Sequence, residues 1–188
     1  VAAEREDYVP VRRFAALTGC RMGEIVDLTW PDVDFGNRLI RVTGKGGRSR
    51  TIPMTPEIRE LLWALRGHHA RAVFTYRCVR AATGRKRGAR YPITREGLKT
   101  RARRTGKKAD VAVRFHDLRH TFATRVLRGS GNLRIVQTLL GHEDPKTTAK
   151  YAHVLAEDLR AAMLVAVGRD AENPGEIPET AERKLSKL

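Results

Sequence analysis

The 188-residue chain has only two cysteines, Cys20 and Cys78, and no long apolar run. The cysteines match no metal-ligand spacing, and a chain of this length can build a core without disulfides, so we expect a reducing, cytoplasmic location. No stretch approaches the roughly 18 consecutive apolar residues of a membrane span. Residues 1–7 do not have the pattern of a signal peptide. These absences argue against secreted, disulfide-rich and membrane proteins, and no membrane partner is expected.

Acidic residues are scarce in one part of the chain. Overall, 37 Lys and Arg against 21 Asp and Glu give a formal net charge of +16. Residues 77–108 hold thirteen Lys or Arg and a single acid, Glu96. A basic block of this density is typical of a surface that binds nucleic acid, although a solvated basic loop has the same composition. The side chains expected to contact nucleic acid are Arg48, Arg85, Lys86, Arg87, Arg90, Arg95, Lys99 and Arg103.

The pattern of apolar residues and turn residues predicts a mainly helical α+β protein with a small antiparallel sheet. A helix over 8–18 should stop at Gly19, with Arg21 at the entry to a short second helix and Glu24 able to hold its guanidinium. The strands 38–42 and 50–53 enclose a glycine-rich hairpin that carries Lys45. Further predictions are a helix from Pro56, a short buried strand at Val73 and Phe74, a helix from Thr94 to about Arg104, and a basic loop over 106–110.

The stretch His116-Asp117-Leu118-Arg119-His120 opens a predicted amphipathic helix over 116–128. The spacing places His116 and Arg119 on one face of it, opposite the apolar stripe. Gly129 and Gly131 should end it. The predicted apolar stripe consists of Leu118, Phe122, Val126 and Leu127.

Two further helices follow, each with a recognisable start. Asn132 can cap a helix that Gly141 ends, so His142 is held just past a rigid terminus. Asp144 and Pro145 can begin a third helix, with Tyr151 about two turns into it. A later apolar stripe either packs on the chain's own core or docks on a neighbouring molecule. That stripe consists of Leu155, Leu159, Ala162, Met163 and Ala166.

Together these side chains suggest phosphoryl transfer with a tyrosine nucleophile. A phenol pKa of about 10 leaves roughly one part in a thousand ionised at neutral pH, a cost of about 4 kcal/mol that nearby cations and a base would lower. Arg21 and Arg119 suit the two non-bridging oxygens of a phosphodiester, because guanidinium forks match that geometry. The alkoxide leaving group needs a proton, and Lys45 is a better general acid for it than an arginine, which holds its protons too tightly. His116 and His142 can bond the phosphate or relay the nucleophile's proton.

A metal site is the alternative for this stretch, since His116 and His120 are four residues apart on a helix. A zinc-protease helix would carry Glu directly after the first histidine, whereas this chain has Asp117, and no third ligand is evident. We therefore predict no metal. Each of these residues alone would more often be structural, and only their joint order and spacing favour an active site.

The set resembles the catalytic domain of the tyrosine recombinases, the phage-integrase family, from about residue 8 to 165. The matching segments are Thr18-Gly19-Cys20-Arg21-Met22-Gly23-Glu24-Ile25, Gly44-Lys45-Gly46, His116-Asp117-Leu118-Arg119-His120-Thr121, Leu140-Gly141-His142 and Tyr151.

The resemblance implies a DNA breaking-rejoining fold and the following roles. Tyr151 would attack a DNA phosphate and form a 3′-phosphotyrosyl link with a free 5′-hydroxyl, with no cofactor, ATP or metal. Arg21, Arg119 and His142 would hold the phosphate. Lys45 would be the acid and His116 the residue on the base side, supported by Glu24 and Asp117.

The resemblance also bears on partners and domains. It implies a nucleoid-associated protein that binds double-stranded DNA, a monomer alone and a tetramer on DNA through the C-terminal helix. We expect a catalytic domain over 1–169, an acidic, disordered tail over 170–188 and no counterpart of the N-terminal domain usual in the family. Two other functions stay open, a type IB topoisomerase and a DNA-binding module that does not cleave.

Overall fold

The computed structural model describes residues 6–81, 84–109, 115–142, 144–156, 158–159 and 163, without the side chains of Lys45 and 105–109. The predicted acidic tail lies outside these residues. The helices are α1 (Val9–Thr18), α2 (Met22–Val26), α3 (Pro56–Leu65), α4 (Arg95–Ala109), α5 (Phe115–Ser130), α6 (Leu133–Leu140) and α7 (Pro145–Ala149). The strands are β1 (Val33–Asp34), β2 (Leu39–Thr43), β3 (Ser49–Pro53), β4 (Thr75–Arg77) and β5 (Arg90–Pro92). None of the described helices has the length and apolar character needed to span a bilayer.

The strands form two small antiparallel sheets, whereas the sequence predicts one. The first has the order β1-β2-β3, and Ile40 pairs with Ile52 across its central ladder. The second pairs β4 with β5. Alternation of buried and exposed residues along β2 sets the register of the first sheet, because a one-residue slip would expose Ile40 and Val42.

Two apolar clusters hold the fold together. The larger one joins α1, α3, the first sheet and the start of α4 around Phe14, which lies against Phe74 with ring centroids 5.2 Å apart. The smaller one joins α5 to α6 and includes the buried ring of Tyr151. The two clusters meet where α1 packs along α5. The ends of α1 and α6 therefore lie beside α5, and this junction positions the site described below.

The helix ends follow the predicted chemistry. The side chain of Thr55 accepts a hydrogen bond from the backbone of Ile58, and that of Asn132 accepts from Arg134 and Ile135. Gly19 and Gly141 end α1 and α6 in the left-handed conformation, with φ of 64° and 62°. These caps are local features, which is why the sequence predicts them well.

Two sequence predictions are wrong. The basic stretch from 106 to 109 is not a loop, because α4 continues to Ala109. A single glycine costs a helix only about 1 kcal/mol, and the lysines and alanine that follow are good helix formers. Val73 and Phe74 are buried as predicted, but they precede β4 instead of forming it.

A third correction concerns α5. Its most buried residues are Phe115, Arg119, Ala123 and Leu127, so Arg119 lies on the buried face and not opposite it. The predicted stripe of Leu118, Phe122 and Val126 is only partly buried at the edge of the two clusters. A periodicity that counts only apolar residues assigns a buried arginine to the wrong face.

Candidate active site

Arg21 caps the N-terminus of α2 and is held by Glu24 as predicted. The backbone N–H of Arg21 donates to Glu24 Oε2 at 2.7 Å, and its Nη1 donates to Oε1 at 3.1 Å. The Arg21 side chain stays 46% exposed, whereas that of Glu24 is only 2% exposed. A fixed carboxylate therefore restrains one edge of the Arg21 guanidinium and leaves the rest of it open to a ligand.

Arg119 is held by the ends of two helices. Its Nη1 donates to the carbonyl of Gly19 and its Nη2 to the carbonyl of Leu140, both at 2.7 Å. Each carbonyl lies at a helix C-terminus, where the helix dipole favours a cation. Burial, and then the nearby charge of Arg21, lowers the pKa of Arg119 to about 10, so it remains protonated at neutral pH. Its terminal nitrogens each keep a second hydrogen for a ligand.

His142 follows the left-handed Gly141, as predicted. Its Nδ1 lies 2.8 Å from Thr148 Oγ1 in α7, and its carbonyl accepts from Gln137 Nε2 at 3.1 Å. Burial lowers its pKa to about 4, and the charges of Arg119 and Arg21 add to that effect. The ring is therefore neutral at physiological pH. It can form hydrogen bonds, but it does not carry the extra proton that a general acid would donate.

Tyr151 is not two turns into a helix, because α7 ends at Ala149 and Tyr151 lies in the turn that follows, before helical residues 152–156. The residue is only 5% exposed, and its Oη lies 2.7 Å from His120 Nδ1. Burial raises its pKa, while the charge of Arg119 acts in the opposite direction. The candidate nucleophile is thus close enough to Arg119 for that charge to offset part of the rise in its pKa, but its hydroxyl hydrogen-bonds to a histidine.

His116 and Asp117 lie at the exposed start of α5. The ring of His116 meets that of His120 edge-on, with centroids 4.4 Å apart, so it reaches the phenol only through His120. The base-side role of His116 and the supporting role of Asp117 stay predictions.

A cleft of about 560 Å³ opens beside these residues. Arg21 and Glu24 line one wall, and His142 lines another. The hairpin between β2 and β3 supplies Arg48 to the third wall. The backbone of Lys45 lies in the turn of that hairpin, and its side chain is outside the described part of the chain. Tyr151 and Arg119 do not line the cleft. The cleft therefore brings Arg21 and His142 together, but the proposed nucleophile lies outside it.

The predicted nucleic-acid contacts are spread over several surfaces. Arg48, Arg85, Lys86, Arg87 and Arg103 are exposed. Arg85 also lies over the rings of Tyr76 and Tyr91. The other three form ion pairs with carboxylates of the same chain: Arg90 with Asp7 at 3.2 Å, Arg95 with Asp27 at 2.6 Å and Lys99 with Glu96 at 2.8 Å.

Sequence reasoning missed two residues at the site and considered one of them only as a metal ligand. Arg50 donates to both oxygens of Glu24, and His120 bonds to the phenol of Tyr151. The spacing of His116 and His120 was the available signal for His120. Within the described residues no group of three or more His, Cys, Asp or Glu could hold a metal.

The architecture has clear counterparts among solved structures. The crystal structure of XerA recombinase matches with a TM-score of 0.60 and 26% identity, over 86% of this chain and 65% of that one. The catalytic domain of bacteriophage HP1 integrase matches with a TM-score of 0.57 and 23% identity, over 93% and 89%. The fold is that of a tyrosine-recombinase catalytic domain.

The sequence comparison gives the family. The Phage integrase family matches residues 7–158, and the chain belongs to that family. Tyrosine recombinase XerC of Bifidobacterium longum subsp. infantis is 37% identical over 169 residues, which cover 85% of this chain and 47% of the relative. XerC of Mycobacterium tuberculosis is 38% identical over 146 residues, covering 77% and 48%. The chain thus spans about half the length of these relatives.

Proposed function

We propose that this chain is the catalytic domain of a site-specific DNA recombinase that cleaves and rejoins strands through Tyr151. The observation that carries the proposal is an excess of positive charge beside the cleft. Three guanidiniums, those of Arg21, Arg50 and Arg119, lie in electrostatic range of one another, and Glu24 is the carboxylate that bonds Arg21 and Arg50. One carboxylate cannot balance three guanidiniums, and a phosphodiester would bring a further negative charge.

In the proposed reaction Tyr151 Oη attacks the phosphorus and the bond to the 5′-oxygen breaks. The phenol's proton passes to the base side, where its hydroxyl contacts His120 and the ring of His120 meets that of His116. Lys45 gives its proton to the departing 5′-oxygen. Arg21, Arg119 and neutral His142 hydrogen-bond the phosphate oxygens, with Glu24 and Asp117 as supports. Attack requires the phenol to leave His120 and turn toward the cleft. The reaction as written needs no cofactor.

Assembly is a further part of the proposal. Leu159 and Met163 are 66% and 68% exposed, which supports a C-terminal segment that packs on another protomer instead of on its own core. We propose a monomer in solution, a tetramer on double-stranded DNA and association with the nucleoid. Light scattering with and without a DNA site tests this, and a Leu159→Ser, Met163→Ser variant should stay monomeric on DNA.

The central test is covalent capture. The protein is incubated with random-sequence duplexes, and strands that stay attached after denaturation are sequenced to find the preferred site. A duplex of that site with a nick beside the scissile phosphate should then trap the adduct, and EDTA should not reduce its yield.

Two variants complete the test. Tyr151→Phe should bind the duplex and form no adduct, whereas Tyr76→Phe, which removes a hydroxyl from β4, should match wild type. Adduct formation by Tyr151→Phe would remove Tyr151 from its role, and absence of any wild-type adduct would support a binding module instead. Relaxation of plasmids that lack the selected site would favour a topoisomerase.

A further inference from the structure

Arg50 links three segments that are distant in sequence. It lies in β3, opposite Val42, and its side chain is 13% exposed. Its Nη1 and Nη2 donate to the two oxygens of Glu24 at 2.7 and 2.9 Å. Its Nε donates to the carbonyl of Leu139 at 2.8 Å. One guanidinium therefore joins the hairpin strand to α2 and to the end of α6.

The contact with Glu24 determines how Arg21 is held. Burial alone would raise the pKa of Glu24, but the hydrogen bond and charge of Arg50, followed by the bonds from Arg21, bring it below its ordinary value. Because Arg50 occupies both oxygens, Arg21 shares only Oε1 through its side chain. Without Arg50, Glu24 would be a buried carboxylate that draws the whole Arg21 guanidinium away from the cleft.

The contact with Leu139 fixes the other wall of the cleft. Leu139 is three residues before His142, and Arg50 packs against the turn between them. A Cβ added to Gly141 would lie 2.8 Å from Arg50 Cδ. The same side chain therefore sets the distance between the wall that carries Arg21 and the wall that carries His142.

We infer that Arg50 is a positioning residue for strand cleavage, acting through Glu24 on Arg21 and through Leu139 on His142. This inference rests on the proposed function. Its bonds to Glu24 and Leu139 use the Nε hydrogen and one hydrogen on each terminal nitrogen, and Nη2 also donates to Cys20 Sγ at 3.9 Å. Lysine cannot replace it, because a single ammonium cannot bond both carboxylate oxygens and a carbonyl in this planar arrangement.

The first experiment compares Arg50→Lys with wild type in single-turnover cleavage of the nicked duplex, at saturating DNA and well below the melting temperature. The duplex carries either the normal phosphodiester or a methylphosphonate, which removes the negative charge. We expect a loss of about tenfold or more on the phosphodiester, with DNA affinity changed less than about threefold, and a loss below about threefold on the methylphosphonate. A purely structural role would reduce both rates equally, and that result would overturn the inference.

A double-mutant cycle separates positioning from direct contact with DNA. If Arg50 acts through Glu24, the pair Glu24→Gln, Arg50→Lys should be no more than about threefold slower than the slower single variant. Losses that multiply would mean that Arg50 does not act on Arg21 through Glu24, which would overturn that part of the inference. Arg41→Lys is the matched control, since Arg41 is 62% exposed on the same sheet and pairs with Asp32 at 3.3 Å. It should match wild type on both duplexes.

Adduct formation by the wild-type protein distinguishes failure of the proposed function from failure of the role of Arg50. No wild-type adduct on either duplex would reject the proposed function and this inference with it. A normal wild-type adduct with an unimpaired Arg50→Lys would reject only the role of Arg50.

Discussion

Gly19 is the position where one added methyl group should damage both stability and the site. It ends α1 with φ of 64°, two residues before Arg21, and its carbonyl accepts from Arg119. A Cβ there would lie 2.4 Å from Phe122 Cδ1 and 2.8 Å from a methyl of Leu140. Both neighbours belong to the smaller apolar cluster, so they cannot move without disturbing it.

The magnitude follows from two separate costs. A left-handed backbone costs an alanine roughly 1–2 kcal/mol. Forcing a methyl group into a packed cluster costs about 1–3 kcal/mol more. Gly131 supplies the comparison, because it has φ of 63° at the end of α5 and nothing within 4 Å of an added Cβ. Gly131→Ala should therefore cost only the backbone part, and Gly19→Ala should cost about 2–5 kcal/mol in total.

Urea unfolding followed by circular dichroism measures the free energy of unfolding of both variants. Gly19→Ala should be less stable than Gly131→Ala by about 1–3 kcal/mol. Under conditions where both are folded, Gly19→Ala should also cleave the nicked duplex on the order of tenfold more slowly, because the shifted carbonyl misplaces Arg119. Equal stability of the two alanine variants would refute the steric argument, and full cleavage activity in Gly19→Ala would refute the link to Arg119.

Three other predictions concern the charges of the site and surface. Arg119→Ala should lose on the order of 10²-fold or more in cleavage rate, by analogy with removal of one donor to a transition state, and a loss below about threefold would contradict its phosphate role. The His142 ring should titrate near pH 4 in NMR spectra of labelled protein. Because the folded pKa lies below the unfolded value of about 6.5, its contribution to stability is present above pH 6.5 and declines as the pH falls toward 4; a midpoint near 6.5 would contradict this. Arg87→Gln should weaken binding to any duplex and reduce the slope of log affinity against log salt by about 1, and an unchanged slope would place Arg87 away from the phosphates.

The parts of the fold that sequence predicts are those set by neighbours along the chain. The Arg21–Glu24 contact, the hairpin and the caps at Asn132 and Asp144 all depend on residues within a few positions. Arg50 depends on partners 26 and 89 residues away, so no local pattern marks it. The turn at Tyr151 contains no glycine or proline from which it could be predicted. The hydrogen bond between Tyr151 and His120 joins residues 31 positions apart.

Arg119 shows why a polar residue can be assigned to the wrong face. It occupies a core position of α5, where periodicity calls for an apolar side chain, and two carbonyls satisfy it. A carboxylate in that place would neutralise the guanidinium and leave little for a ligand. Helix-end carbonyls hold it with partial charges only, so the arginine stays buried, oriented and cationic.

The same reasoning explains the balance of charge around the cleft. Glu24 accepts hydrogen bonds from both Arg21 and Arg50, while Arg119 donates to backbone carbonyls. The repulsion between Arg21 and Arg119 contributes to the lowered pKa of Arg119, and an anion between them would relieve it. A phosphodiester supplies one negative charge and two non-bridging oxygens at the spacing of guanidinium forks. Under the proposed function, the folded protein therefore tolerates an unfavourable arrangement of cations that would become favourable when phosphate binds, and most favourable when charge builds up on the phosphate during attack.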